Sequence, residues 1–180
     1  HKTPEYYRIS YNSLQNTKVR PIPGKGRAWK LEIDESLWQP WNNEGEYDLL
    51  VMPNNSNIFK YLGEDYHTWR RDTICWYDSL PGKLIIREKE GKRRQRFQEI
   101  LPMMMKAKKV ITYHSMAVVE ALCLGKPIEV LGQSAVQHWE KQYGFDRTEM
   151  LEHIAHSQFK RDEYANGDAW AVTFKYQVEQ

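Results

Sequence analysis

The chain has little cysteine, no long apolar run and almost no net charge, and each shortage excludes something. Cys75 and Cys123 stand alone among 180 residues, each in apolar or aromatic surroundings. Two isolated thiols build neither a disulfide framework nor a cysteine metal site. They fit a reducing, cytoplasmic compartment, and burial is the default expectation for both. No apolar run approaches the ~20 residues of a membrane-spanning helix, so no membrane partner is expected. No secretory leader is visible. The formal net charge is +2, too small to imply nucleic acid by itself. There is no glycine-rich phosphate loop. His153 and His156 lie three apart on a helix pattern, but no third ligand is evident, so no metal is expected. Internal repeats and low-complexity segments are absent.

What is present is an ordinary globular composition, 41% hydrophobic and 28% charged, in a chain long enough to bury a real core. Aromatic residues are plentiful at 13%, with seven Trp, several of them in polar segments (Trp38, Trp41, Trp69, Trp76). Positive charge is concentrated in Arg87–Arg96, REKEGKRRQR, and again in Lys106–Lys109. Such runs suit either an anionic partner or a solvated face.

The pattern divides the chain into an N-terminal segment 1–46, a sharply patterned region 47–146 and a helical tail 147–180. DLLVMP, KLIIRE, VITY and KPIEVLG are four short apolar runs of strand length. Between them lie NNSNIFKYLG and YHTWRRDTICWYDS, then the polar helix-prone stretch Gly91–Leu101, then SMAVVEALCLG. This alternation predicts an α/β fold with a parallel sheet, right-handed crossovers and covering helices. In the tail, Arg147–Ser157 and Arg161–Asn166 read as helices.

Ligands of parallel α/β sheets bind beyond the carboxyl ends of the strands. Three of the four runs end in polar residues there. VIT runs into Thr112-Tyr113-His114-Ser115 just before a helix, whose first amides favour an anion. Ser115 either adds a donor to such a site or simply caps its own helix. His114 is a donor, acid or base near neutral pH. LIIR ends in Arg87, with Lys89 two residues on; each suits a phosphate or a surface salt bridge. The third end is Met52-Pro53-Asn54-Asn55-Ser56. Glu120 interrupts the apolar VVEAL run, either as a buried acceptor for a ribose diol or on a solvent face.

The stretch VITYHSMAVVEALCLGKPIEVLG, a strand followed by a helix-starting Ser, Glu-Ala-Leu, Gly-Lys-Pro and a second strand, resembles the donor-side motif of glycosyltransferases of the glycosyltransferase-B fold. Capsular polysaccharide transferases of the Kdo type carry a similar stretch. The resemblance to glycosyltransferases of tailed bacteriophages is broader and adds PWNNEGEYDLLVMPNNS, LPGKLIIREK and SQFKRDEYANGDAW, covering roughly Trp38 to Trp170. The resemblance implies a Rossmann-like parallel sheet with helices on both faces and a reduced N-terminal, acceptor-side segment. It implies a metal-independent transferase with no cofactor beyond its donor substrate, a sugar nucleotide, first among them a UDP-sugar.

Carried over residue by residue, Ser115 with the amides of His114 and Met116 holds phosphate, and Glu120 contacts the ribose. Thr112 and Asn54 fall at neighbouring strand ends. Arg87 and Lys89 stand where related transferases have a basic or His-Pro element; the His-Pro itself is absent, which departs from the Kdo type. His114 and Arg87 are the residues expected to act on the leaving phosphate. Asp34, Glu35, Asp65 and Asp78 are the carboxylates available as a base. For a phage-type enzyme in the host cytoplasm, the favoured acceptor is double-stranded DNA carrying hydroxymethylated bases, its phosphates tracked by the basic runs. Other readings stay open: a transferase acting on a surface glycan, a non-catalytic nucleotide-binding protein, and a partner-binding domain in which Ser115 only caps a helix.

Overall fold

The computed structural model describes residues 6–8, 26–27, 38–53, 57–88, 97–134, 136 and 146–171. In chain order its elements are β1 (Tyr6–Arg8), β2 (Tyr47–Val51), α1 (Asn57–Leu62), α2 (Tyr66–Asp78), β3 (Leu84–Arg87), α3 (Phe97–Lys106) and β4 (Ala107–Thr112). Then follow α4 (Ala117–Cys123), β5 (Ile128–Val130), α5 (Arg147–Ala155), β6 (Gln158–Lys160) and α6 (Arg161–Ala165). They form two compact units: Leu37–Ser134, and His1–Ser36 together with Ala135–Gln180.

Leu37–Ser134 is the Rossmann-like α/β unit that the alternation predicts. Its four strands lie in the order β3-β2-β4-β5, and every pairing is parallel. The chain steps from β2 outward to β3, then crosses back over β2 to β4 and β5. With right-handed crossovers, α1 and α2 fall on one face of the sheet and α3 and α4 on the other. Side-chain alternation agrees. Leu50 and Ile111 pack with Tyr77 of α2, while Leu49 and Val110 point the opposite way and are equally buried. Each such Leu or Ile contributes about 1.5–3 kcal/mol by leaving water.

Element boundaries differ from the sequence pattern at the second crossover, from β3 to β4. The helix there is α3, Phe97–Lys106, and it takes in the Met103-Met104-Met105 run; β4 follows without a linker. Met104 is fully buried and Met105 is exposed, as one face of an amphipathic helix requires. The two thiols also part company: Cys123 is buried, but Cys75 is exposed. Cys75 and the exposed Trp76 lie on the outer side of α2, whose inner side is carried by Tyr77.

The Gly-Lys-Pro turn between α4 and β5 has a structural task of its own. Gly125 adopts φ +70°, and a Cβ there would collide with the Pro40 carbonyl. Residues 39–44 lie across this turn as a strap. Gln39 N donates to Cys123 O at 3.0 Å and Asn42 N to Gly125 O at 2.8 Å. Lys126 is almost wholly buried, and its Nζ donates to Glu44 O at 3.1 Å. Burial pushes the Lys126 pKa down, and the nearby Glu44 carboxylate opposes that.

In the other unit β1 pairs antiparallel with β6, and α5 and α6 cover Arg147–Ala155 and Arg161–Ala165, close to the helices expected in the tail. The organising side chain is Arg27. Its guanidinium donates to both oxygens of Glu163 (2.8 and 2.9 Å), to Ala155 O (2.9 Å) and to Gln158 O (2.5 Å). The fully buried Glu152 accepts from the amides of Gly26 (2.7 Å) and Arg27 (3.0 Å). Among the described residues no group of three His, Cys, Asp or Glu side chains could hold a metal ion, and no helix is long and apolar enough to cross a membrane.

Candidate functional site

The reversal of strand order sets the site. β2 and β4 are neighbours whose crossovers depart in opposite directions, so their carboxyl ends open a crevice between diverging connections. Val51 pairs in register with Arg87 on one side and Thr112 on the other. Arg87, Thr112 and the start of the His114–Ser115 loop are therefore lateral neighbours at one end of the sheet.

Thr112 is fully buried and its hydroxyl is used twice. It donates to Val51 O at 3.1 Å and accepts from Ser115 N at 3.3 Å. Thr112 therefore shapes the loop, and its side chain has no exposed surface to present to a ligand. Ser115 acts as a cap: its Oγ accepts from Ala117 N at 3.2 Å. The next two amides are also engaged, Val118 N with Ser115 O and Val119 N with Met116 O. Helix α4 has seven residues, so its end contributes little field. Among the described residues the backbone N–H groups of His114 and Met116 make no hydrogen bond, and the Met116 side chain is exposed.

Tyr113 is directed to the α1–α2 side. Its ring lies against Phe59 (centroids 4.5 Å apart) and Trp69 (5.1 Å), and its hydroxyl donates to Glu64 at 2.9 Å. Burial, reinforced by the bond to Glu64, raises its pKa to about 12. A Cβ on Gly132 would press on that ring and on the Tyr113 carbonyl. Tyr113 thereby anchors the loop that carries His114. Sequence reasoning missed this role of Tyr113 and Glu64; the aromatic residue beside His114 was the available signal.

His114 is half-buried, and its Nδ1 is shielded from solvent with no hydrogen-bond partner among the described residues. Burial lowers its pKa, so the imidazole is neutral at neutral pH. Glu120 is also half-buried. Burial raises its pKa, and the Arg87 charge pulls it the other way, so the two side chains are within electrostatic reach. Arg70 pairs with Glu88, fixing the residue after Arg87 to α2. The fold thus brings together Arg87, Thr112, His114, Ser115, Met116 and Glu120. Asn54 and Lys89 lie outside the described residues, as does most of the 87–96 basic run.

The remaining sequence candidates are elsewhere. Asp65 caps α2, accepting from Thr68 N at 2.8 Å, a bond that lowers its pKa. Asp78 is exposed at the far end of that helix. Asp34 and Glu35 lie outside the described residues. Lys106–Lys109 lies at the amino end of β4, opposite the crevice. His153 is buried in α5, and His156 Nδ1 is bonded to Glu152 O at 2.8 Å.

The fold and crevice define a Rossmann-like α/β domain with a polar strand-end site. Compared with known proteins, the chain matches no family model and no curated protein sequence.

Proposed function

We propose that the chain binds a sugar nucleotide, a UDP-sugar first among them, at the carboxyl ends of β2, β3 and β4 and transfers its sugar to an acceptor hydroxyl. One observation carries this reading. Arg87 of β3 and Glu120 of α4 come within electrostatic reach beside the switch point, next to a neutral, half-buried His114. Arg87 pairs with the phosphates, joined by the backbone amides of His114 and Met116. Glu120, held partly out of water, accepts from the ribose diol. His114, whose Nδ1 is shielded from solvent, donates to the leaving phosphate from Nε2.

In the transfer itself the acceptor oxygen bonds to the anomeric carbon as its O–H bond breaks and the proton passes to water. The bond from that carbon to the phosphate oxygen breaks, and the nucleotide leaves with the electron pair. Hydroxymethylated bases in DNA are the first acceptors to test. A second reading, nucleotide binding without transfer, is favoured by one feature: no described carboxylate is bonded to His114 to orient it as a base.

The test is a thermal-shift panel of nucleotides and sugar nucleotides on the wild type, Arg87→Ala and Glu120→Ala. A ligand of the native state raises the melting temperature in a concentration-dependent way. A shift given by a UDP-sugar and lost in Arg87→Ala supports the site, and sugar release onto hydroxymethylated DNA then separates transfer from binding. No shift from any nucleotide contradicts the reading.

A further inference from the structure

The opposite end of the sheet carries a second feature, independent of the strand-end crevice. A cavity of about 210 Å³ lies at the amino ends of β2, β3 and β4, where ligands of parallel sheets do not ordinarily bind. Its walls include Tyr47, Tyr77, Leu80, Pro81, Lys83 and Lys108. Three observations give it a chemical character.

The first is a break in the ladder. Tyr47 pairs with Ala107 and Asp48 with Lys109, which leaves Lys108 as an extra, unpaired residue in β4. A bulge of this kind re-aims a side chain at the cost of sheet pairing. Gly45 makes room for it: a Cβ there would collide with the Lys108 backbone.

The second is the distribution of charge. The acids of the cavity wall are already paired with lysines outside it, Glu46 with Lys106 at 3.6 Å and Asp48 with Lys109 at 3.8 Å. Lys109 is further held by Glu129 at 2.5 Å, and Glu129 accepts from the Tyr77 hydroxyl. Lys83 and Lys108 have no carboxylate partner among the described residues. Lys83 Nζ instead lies 5.9 Å from the centroid of the Tyr47 ring. Lys83 and Lys108 are therefore the charges of the wall left without an ion-pair partner among the described residues, while its two acids are engaged.

The third is its apolar lining. The ring of Tyr47, with Tyr77, Leu80 and Pro81, offers flat carbon surface beside those two cations. Gly82 sets the turn that carries Lys83 with φ +123°, a conformation that needs glycine.

We propose that this cavity binds a small aromatic carboxylate, with the ring against Tyr47, Tyr77 and Pro81 and the carboxylate between Lys83 and Lys108. The test is an NMR titration of the wild-type chain with benzoate, benzamide and inorganic phosphate, following the backbone amides of Tyr47, Gly82, Lys83 and Lys108. Benzoate shifts these signals saturably. Benzamide, which keeps the ring and loses the charge, binds about tenfold or more weakly, and phosphate, which has no ring, does likewise. Lys83→Ala and Lys108→Ala, both at exposed positions, leave the melting temperature unchanged and each weaken benzoate by a similar factor. Equal binding of benzamide overturns the role of the lysines, and equal binding of phosphate overturns the role of the rings. Benzoate shifts confined to other parts of the chain, or none at all, overturn the site.

Discussion

The hydroxyl of Thr112 donates to the carbonyl of Val51, joining the carboxyl ends of β4 and β2 at 3.1 Å where the strand order reverses. The same oxygen accepts from Ser115 N, so one buried side chain fixes both the strand pair and the loop that carries His114. Thr112→Val keeps the shape and leaves Val51 O and Ser115 N each without that partner. The expected loss is about 1–3 kcal/mol in chemical denaturation, with weaker nucleotide binding. An unchanged midpoint would show that the two bonds contribute nothing net.

His114 and Glu120 predict opposite pH dependences. Burial lowers the His114 pKa from 6.5. Between that value and its folded one, the unfolded chain binds a proton that the folded chain refuses, so stability falls as pH drops through that window. Burial raises the Glu120 pKa from 4.5. Between 4.5 and its folded value the folded chain keeps a proton the unfolded chain has lost, so stability falls as pH rises there. Melting temperatures measured across pH should show His114→Asn gaining on the wild type below about pH 6.5, and Glu120→Gln gaining above about pH 4.5. A difference that stays constant with pH contradicts both assignments.

Two glycines separate backbone strain from collision. Gly63 (φ +74°) faces open space, whereas Gly125 (φ +70°) faces the Pro40 carbonyl. Gly63→Ala should cost about 1–2 kcal/mol, the left-handed penalty alone. Gly125→Ala should cost clearly more, because the strap over the α4–β5 turn must also move. Equal costs in urea denaturation would contradict the strap.

Arg27 ties Gly26–Arg27 to α5, β6 and α6 through five donated bonds, one from its backbone and four from its guanidinium. Arg27→Ala should destabilise that unit by about 3 kcal/mol, as loss of one partner of a buried pair does. Arg27→Lys should recover little, since an ammonium cannot reproduce the forked geometry. Denaturation midpoints check both; full recovery by Lys would contradict the geometric account.

Much of the α/β unit was legible in the chain because buried parallel strands leave short, bounded apolar runs. DLLV, LIIR and the VIT run each became a strand at the expected place. The α3–β4 junction was less legible, since Met103–Lys106 is equally compatible with a helix end and a strand start, and tertiary burial of Met104 decides it. The pairing of β1 with β6 was not legible at all: three-residue strands far apart in sequence carry no periodic signal. At the site, Arg87 and Glu120 were each ambiguous alone, and only the crossing of strand order relates them. Gly-Lys-Pro was conspicuous for a different reason than function, since its glycine and lysine are explained by the strap from Gln39 to Glu44.

Calorimetric titration of UDP into the wild type, Arg87→Ala and Lys108→Ala separates the strand-end crevice from the rest of the sheet, because the two cations lie at its opposite ends. UDP should bind the wild type, bind Arg87→Ala about tenfold or more weakly, and bind Lys108→Ala unchanged. Binding that survives in Arg87→Ala, or that disappears in Lys108→Ala, would contradict the strand-end site.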